Sequence, residues 1–452
     1  MKVPALFNDK NFYRNLFAVS LPIMLQNLIN SFVNILDTVM IGRLGTVEIA
    51  AVGLGNNVFF FYSMILFGIG SGAAIFTAQY WGRQDIPGIR KNTGFCLLLN
   101  LSGALVFTLL CLFFPENIMR IYSRDPAVIA AGAVYLRILT GSFIPFAISQ
   151  VFILTLRSVE KVRLAMVTTF IALSINAVLN YCFIFGVGPF PAMGIAGAAL
   201  ATVISRIAEM IVLLAVSYAK KYPPAGGFRE LMAFNSPFVS RFIKIVLPVV
   251  INEFVWALGV SLTNIIFART HTDAVAAYNI TNTVSQLTWV LFIGLGNGVA
   301  VLIGKKIGEG DEKTARDYAS RIVRFAPIVA TGAIFILVPL SALFPFIFNV
   351  NEQVLVAARI MIIILGISYP FRAFNMTMVV GVCRAGGDTI FCTFYDVGFM
   401  WLIALPLAAS AAYFFHAPFW AIYVCMSLDD LFKMFLGLWR YRSGKWLHNV
   451  IN

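Results

Sequence analysis

Apolar runs of about twenty residues recur along the whole of this 452-residue chain. That is the length a bilayer's hydrocarbon core demands of a helix. About twelve can be read, near 15–41, 53–79, 94–114, 130–156, 163–186, 194–218, 239–267, 279–304, 325–346, 355–382, 390–414 and 418–439. Inside a bilayer the backbone has no water to bond, which leaves helices or a closed barrel. Barrel strands are about 10 residues of alternating character, and these runs are longer and uniformly apolar. The expected fold is an all-α integral membrane protein of about twelve transmembrane helices. Only 12% of the residues are charged against 60% hydrophobic, too little charge for the surface of a soluble body of this length. The first run starts near Leu16, is too long for a signal-peptide core and lacks a small-residue cleavage site, so it is read as the first transmembrane helix.

A net charge of +13 raises the question of nucleic acid, and the distribution answers it. Lys2, Lys10 and Arg14 precede the first run, and Arg83, Arg90 and Lys91 follow the second. Arg157, Lys161 and Arg163 follow the fourth; Lys220, Lys221, Arg229, Arg241 and Lys244 follow the sixth. Lys305, Lys306, Lys313, Arg316, Arg321 and Arg324 follow the eighth, and Arg440, Arg442 and Lys445 close the chain. The alternate connections hold few: Arg43, Arg120, Arg124, Arg269 and Arg359. This is the positive-inside pattern, with both termini cytoplasmic and no nucleic-acid partner implied. The six cysteines have no metal-ligand or redox spacing, and His271, His416 and His448 form no cluster.

The two halves of the chain are copies. Leu21-Pro22 reappears as Leu247-Pro248, an offset of 226 residues. The same offset carries Arg43 onto Arg269, Thr46 onto Thr272, Asn56 onto Asn282, GIGSG (68–72) onto GLGNG (294–298), Gly82 onto Gly308 and Asp85 onto Asp311. Further on it slips by one, so that Gly141, Pro145 and Arg157 meet Gly366, Pro370 and Arg384. Six helices per half return the chain to its starting side, making parallel repeats, an arrangement of transporters. The expected domains are 1–218, a polar cytoplasmic linker at 219–238, and 239–452 with a short basic tail. The glycine runs follow no strand and no Walker lysine follows them, so they are read as close helix packing. With no ATP-binding segment, any active transport must be secondary; no enzymatic site is indicated. Pro22, Pro145, Pro248 and Pro370 sit in repeat-matched helices as kinks or hinges.

Polar residues stand where polarity is expensive. Gln26, Asn30, Asn34 and Asp37 are spaced by four, four and three, which places them on one face of the first helix. An aspartate at a helix centre costs roughly 3 kcal/mol on insertion scales, and nothing in its own helix neutralises Asp37. The fifth helix supplies Asn176 and Asn180, one turn apart, and the sixth supplies Thr202. A carboxylate, two amides and a hydroxyl suit a hard monovalent cation, or would let Asp37 act as a lone protonatable switch. In the second half Glu253, Arg372 and Asp396 fall within apolar runs, with Phe254, Trp256 and Tyr278 near for cation–π contact. Arg206 with Glu209, and Asp429 with Lys433, are spaced as intrahelical pairs.

These residues resemble the multidrug and toxic compound extrusion (MATE) family. The likeness lies in LPIMLQNLINSFVNILDTVMIG, FGIGSGAAIFTAQYWGRQD, GIAGAALAT and CRAGGDT, in order and at matching places in both halves. It implies two six-helix lobes forming a V-shaped cavity, and export of amphipathic or cationic organic compounds in exchange for Na⁺ or H⁺. It also implies a monomer without cofactor, in the cytoplasmic membrane of a prokaryote. In the DinF-like branch a cation site is formed by an Asp of the first helix, an Asn and an Asp of the fifth, and a Thr of the sixth. Asp37, Asn176 and Thr202 match it, with Asp37 the ligand for Na⁺, but Asn180 stands where that branch has its second Asp. The seventh-helix Glu of the NorM-type branch falls nearer Trp256 than Glu253, and its tenth-helix Asp falls at Phe371-Arg372-Ala373. That site is not reproduced. Two readings stay open for Glu253, Asp396 and Arg372: one cluster facing the cavity, usable by substrate along with Gln26, Asn30 and Asn34, or a structural pair of Arg372 with one acid. The rival functions are a lipid-linked oligosaccharide flippase of the same architecture, which wants a basic cavity, and, more distantly, a channel or a non-transporting receptor.

Overall fold

The computed structural model describes residues 9–270, 272–341 and 351–452; Lys2, His271 and the expected end of the ninth span, 342–346, lie outside them. The described residues form helices and no sheet, with a single antiparallel bridge between Gly387 and Leu447. Ten described helices are long and apolar enough to cross a bilayer. The first six spans are Lys10–Gly42, Thr46–Gly82, Ile86–Phe113, Pro126–Ser158, Val162–Phe185 and Gly194–Ala219. The seventh, eighth, tenth and eleventh are Ser236–Ala268, Asp273–Gly308, Glu352–Cys383 and Thr389–Tyr413. Two more long helices, Glu312–Ser341 and Phe419–Ser443, take the places of the ninth and twelfth. Charge sets them apart: the ninth is charged as far as Arg324, and the twelfth carries Asp429, Asp430 and Lys433 in its middle.

The repeat-matched prolines do not act alike. The first, seventh and tenth helices run unbroken through Pro22, Pro248 and Pro370. The fourth span is broken into Pro126–Leu139 and Phe143–Ser158 by a 3₁₀ turn at Thr140–Ser142, just before Pro145. Irregular winding in the second half lies elsewhere: Thr377–Cys383, Phe394–Gly398 and Met400–Ala404 are π-helical.

The chain folds into two compact units, Leu25–Val246 and Met1–Met24 with Leu247–Asn452. The change of unit falls within the first and seventh helices, two residues after Pro22 and two before Pro248. Glycines of the repeated motif show why. A side chain at Gly72 would meet Val246 within 3.0 Å, backbone included. At Gly298, 226 residues on, it would meet Ser20 Oγ at 2.0 Å. Ser20 and Val246 are themselves 226 residues apart. Each half thus packs its second or eighth helix against the opening turns of the other half's first helix, and only glycine permits that approach.

The turns repeat too. Asp85 caps the third helix by accepting from Gly88 N at 2.8 Å, and Asp311 caps the ninth by accepting from Thr314 N at 3.1 Å. Gly310 and Gly387 sit at φ +79° and +76°. Their counterparts in the first half, Gln84 and Glu160, hold the same left-handed conformation at +59° and +61° without being glycine. In the linker a short helix, Phe228–Leu231, lies on the third helix, where Gly94 leaves room for the Leu231 carbonyl. Glu230 accepts from Gly227 N at 2.7 Å and from Arg90 at 2.6 Å, and these contacts hold its carboxyl below the ordinary value of 4.5.

Candidate functional site

Three helices of the first unit turn polar faces toward one another. On the first span the face carries Gln26 and Asp37; on the fifth, Thr169, Asn176 and Asn180; on the sixth, Thr202, Arg206 and Glu209. Two clusters form along it. In one, Asn180 Nδ2 donates to Asp37 Oδ1 at 2.7 Å and to Asn176 Oδ1 at 3.3 Å, and Asn176 Nδ2 donates to Thr202 Oγ1 at 3.4 Å. The four residues that sequence reasoning grouped as a cation site are therefore joined in one chain of hydrogen bonds. Asn180 is 2% exposed, yet its Oδ1 has no partner. An open buried acceptor costs about 1–3 kcal/mol, and beside a carboxylate it is what a hard cation or a protonated group would use. The oxygens present fit Na⁺ or H⁺. Among the described residues no three His, Cys, Asp or Glu side chains gather into a transition-metal site.

The second cluster takes Gln26. Its Nε2 donates to Thr169 Oγ1 at 2.7 Å, its Oε1 accepts from Arg157 Nη2 at 2.5 Å, and Thr169 Oγ1 donates to Glu209 Oε1 at 2.8 Å. Arg206 completes it, pairing with Glu209 at 2.9 Å. Gln26 is thus bonded inside the unit, 4% exposed, instead of being offered to a substrate. Asn34 is exposed and Asn30 half-buried, and neither amide joins either cluster. The expected Arg206–Glu209 pair forms, though as part of a larger network.

In the second half the three charges grouped by sequence do not form one cluster. Glu253 pairs with Arg384 at 2.6 Å, Arg372 with Asp430 at 2.8 Å, and Asp396 with Lys433 at 3.4 Å. Each found a nearer opposite charge, as buried ions must. Lys433 also makes the expected intrahelical pair with Asp429, at 2.9 Å. Asn375 donates to Asp430 Oδ1 at 3.3 Å and accepts from Tyr395 OH at 2.6 Å. Trp256 is half-buried. Tyr278 lies stacked on Phe267, centroids 4.4 Å apart, so its ring face is spent on packing.

Asp430 was not singled out from the sequence, because beside Asp429 it reads as the solvated member of a pair. Arg157 and Arg384 were matched to each other by the repeat but read as loop charges; both reach back to the first helix of their own half. The signal was there: the register that pairs 157 with 384 also pairs Gln26 with Asn252, next to Glu253.

A helical membrane chain duplicated in parallel, with a carboxylate on a polar stripe inside each half, defines a transporter built on internal repeats. The chain belongs to the multidrug and toxic compound extrusion family: the family model MatE matches residues 22–182 and 248–410, once in each half. A probable multidrug resistance protein NorM of Thermotoga maritima is 24% identical over 96% of this chain and 93% of its own. The multidrug resistance protein MdtK of Edwardsiella ictaluri is 25% identical over 87% and 86%. A solved structure described as the outward-facing conformation of a multidrug resistance MATE family transporter superposes with a TM-score of 0.87 over 96% of this chain and 97% of that one, at 16% identity, which speaks for the fold.

Proposed function

We propose that the chain is a secondary-active antiporter that exports amphipathic and cationic organic compounds in exchange for H⁺ or Na⁺, with Asp37 as the coupling carboxylate. One observation carries this. The mid-span acids are Asp37, Glu209, Glu253, Asp396, Asp429 and Asp430; among the described residues Asp37 alone forms no ion pair with a lysine or arginine. Its partner is a neutral amide. A carboxylate held by neutral groups gains most from an arriving cation, and that gain is what drives exchange. Cation and organic substrate then compete for one conformational equilibrium, each shifting it only by its differential affinity for the two states.

Asn176, Asn180 and Thr202 serve as the remaining ligands, a set closest to the DinF-like pattern. The names of the relatives support drug-like substrates. The charge arrangement supports export of cations over flipping of a lipid-linked pyrophosphate: Arg206, Arg372, Arg384 and Lys433 are each already bound to a carboxylate. The proposed setting is a prokaryotic cytoplasmic membrane, with the protein acting as a monomer and needing no cofactor.

The test is uptake of a fluorescent organic cation into proteoliposomes under an imposed Na⁺ or pH gradient. Wild type is expected to respond to one gradient, which names the ion, and Asp37→Asn to fall at least tenfold with folding intact. Transport by Asp37→Asn at the wild-type rate would move coupling elsewhere. No gradient-driven uptake by wild type would overturn drug export itself.

A further inference from the structure

One group in the second half combines an accessible carboxylate, an open acceptor and a counter-ion with divided loyalty. Asp396, in the eleventh span, keeps 24% of its side chain exposed. Its Oδ2 accepts from Asn252 Nδ2 at 3.2 Å. Its Oδ1 lies 3.4 Å from Lys433 Nζ, whereas Lys433 holds Asp429 at 2.9 Å. Asn252 is 2% exposed and its Oδ1 has no hydrogen-bond partner. Turning that amide over would set its oxygen against the carboxylate, so the open acceptor follows from the way Asn252 holds Asp396. The backbone is unusual at the same place: Asp396 sits within the π-helical Phe394–Gly398, a distortion common at functional sites. The other acids nearby are engaged more tightly, Glu253 with Arg384 at 2.6 Å and Asp430 with Arg372 at 2.8 Å.

Two acceptors side by side, one charged and one neutral, call for a cation that bears N–H groups. Lys433 is such a cation, tethered by its own helix and already committed to Asp429. We propose that Asp396 and Asn252 form a binding site for a protonated primary or secondary amine, and that Lys433 is its built-in competitor. As the ligand's ammonium docks, Lys433 draws back to Asp429 and the ligand's N–H groups satisfy Asp396 and Asn252 Oδ1. A quaternary ammonium or phosphonium ion carries the charge but no donor, and leaves Asn252 as it was. The inference rests on the reading of the chain as an exporter of organic cations, and it names the chemical class that the second half selects.

The experiment measures binding to the full-length purified protein of an aromatic primary amine and of its trimethylammonium analogue, for wild type, Asp396→Asn and the double variant Asp429→Asn/Lys433→Met. Removing both members of that pair leaves no stranded charge between them, and a melting curve verifies each variant. Wild type should favour the primary amine by roughly tenfold, the worth of one charge-assisted hydrogen bond. Asp396→Asn should lose that preference. The double variant should bind the amine several-fold more tightly, the opposite of what a merely structural lysine would give. Equal weakening of both ligands, no weakening in Asp396→Asn, or looser amine binding in the folded double variant would overturn the site. Wild type that exports other organic cations but does not tell the two ligands apart would also overturn it while leaving the exporter reading intact. Failure of wild type to bind or move any organic cation would overturn both.

Discussion

Asparagine has the shape of a protonated aspartate, with an N–H where the acid carries its proton. At position 180 that N–H points at Asp37 Oδ1 from 2.7 Å. The pair therefore looks like a carboxylate dyad frozen with one proton already in place, leaving Asp37 as the member that exchanges. Asn180→Asp would restore a true dyad, whose two acids cannot both stay ionised at that distance. Each cycle should then involve an additional proton, so substrate efflux should depend more steeply on the imposed pH gradient. Proteoliposome transport at several gradients measures it, and an unchanged slope would show that position 180 takes no part. Asp37, Asn176, Asn180 and Thr202 were legible in the sequence because helical spacing put them on single faces and the family pattern joined those faces. The ion-pair partners were not legible. Whether Arg372 meets Asp396 or Asp430 depends on how helices distant in sequence are turned against each other, and spacing within one helix carries no such information.

At the level of the single helix and its turns, the duplicated register explains more than the apolar runs do. It matches the cap at Asp85 to that at Asp311, and the tight approach at Gly72 to that at Gly298. It also exposes a flaw in one copy. Where the second half places Gly310 and Gly387 at positive φ, the first half places Gln84 and Glu160. A left-handed conformation costs a non-glycine residue about 1 kcal/mol. Gln84→Gly removes that strain at the expense of one exposed hydrogen bond to the Trp81 carbonyl and of extra freedom in the unfolded chain. A net gain of about 0.5 kcal/mol, read as a rise in melting temperature, is expected. Glu160 is the poorer target, because its carboxylate accepts from Trp81 Nε1 at 3.1 Å. The breaks in winding were not foreseen. Pro145 marked a real interruption, but Pro22, Pro248 and Pro370 left their helices whole, and the π turns of the tenth and eleventh spans have no proline to announce them.

For the molecule as a whole, the sequence announced two halves and the structure is two units, yet the boundaries differ. The linker at 219–238 is where composition changes, so it reads as the border. Packing puts the border at Met24 and Val246 instead, because the opening turns of each half's first helix follow the glycines of the other half. A chain cut at Gly227 should therefore fail as either piece alone, since each unit would lack a stave. Residues 1–227 and 228–452 produced together should reassemble into a particle of native size on gel filtration. Recovery of a monodisperse single fragment would show that the borrowed turns are dispensable.

The exchange has a genealogical meaning. Before duplication, a single copy of this repeat would have left the opening of its first helix with nowhere to pack except a second identical molecule. Two copies lending each other that segment make a swapped homodimer, and fusing their genes would have preserved the loan while freeing each copy to diverge. The lone aspartate at 37 in one descendant and the crowded ion pairs around Asp396 in the other are the record of that freedom.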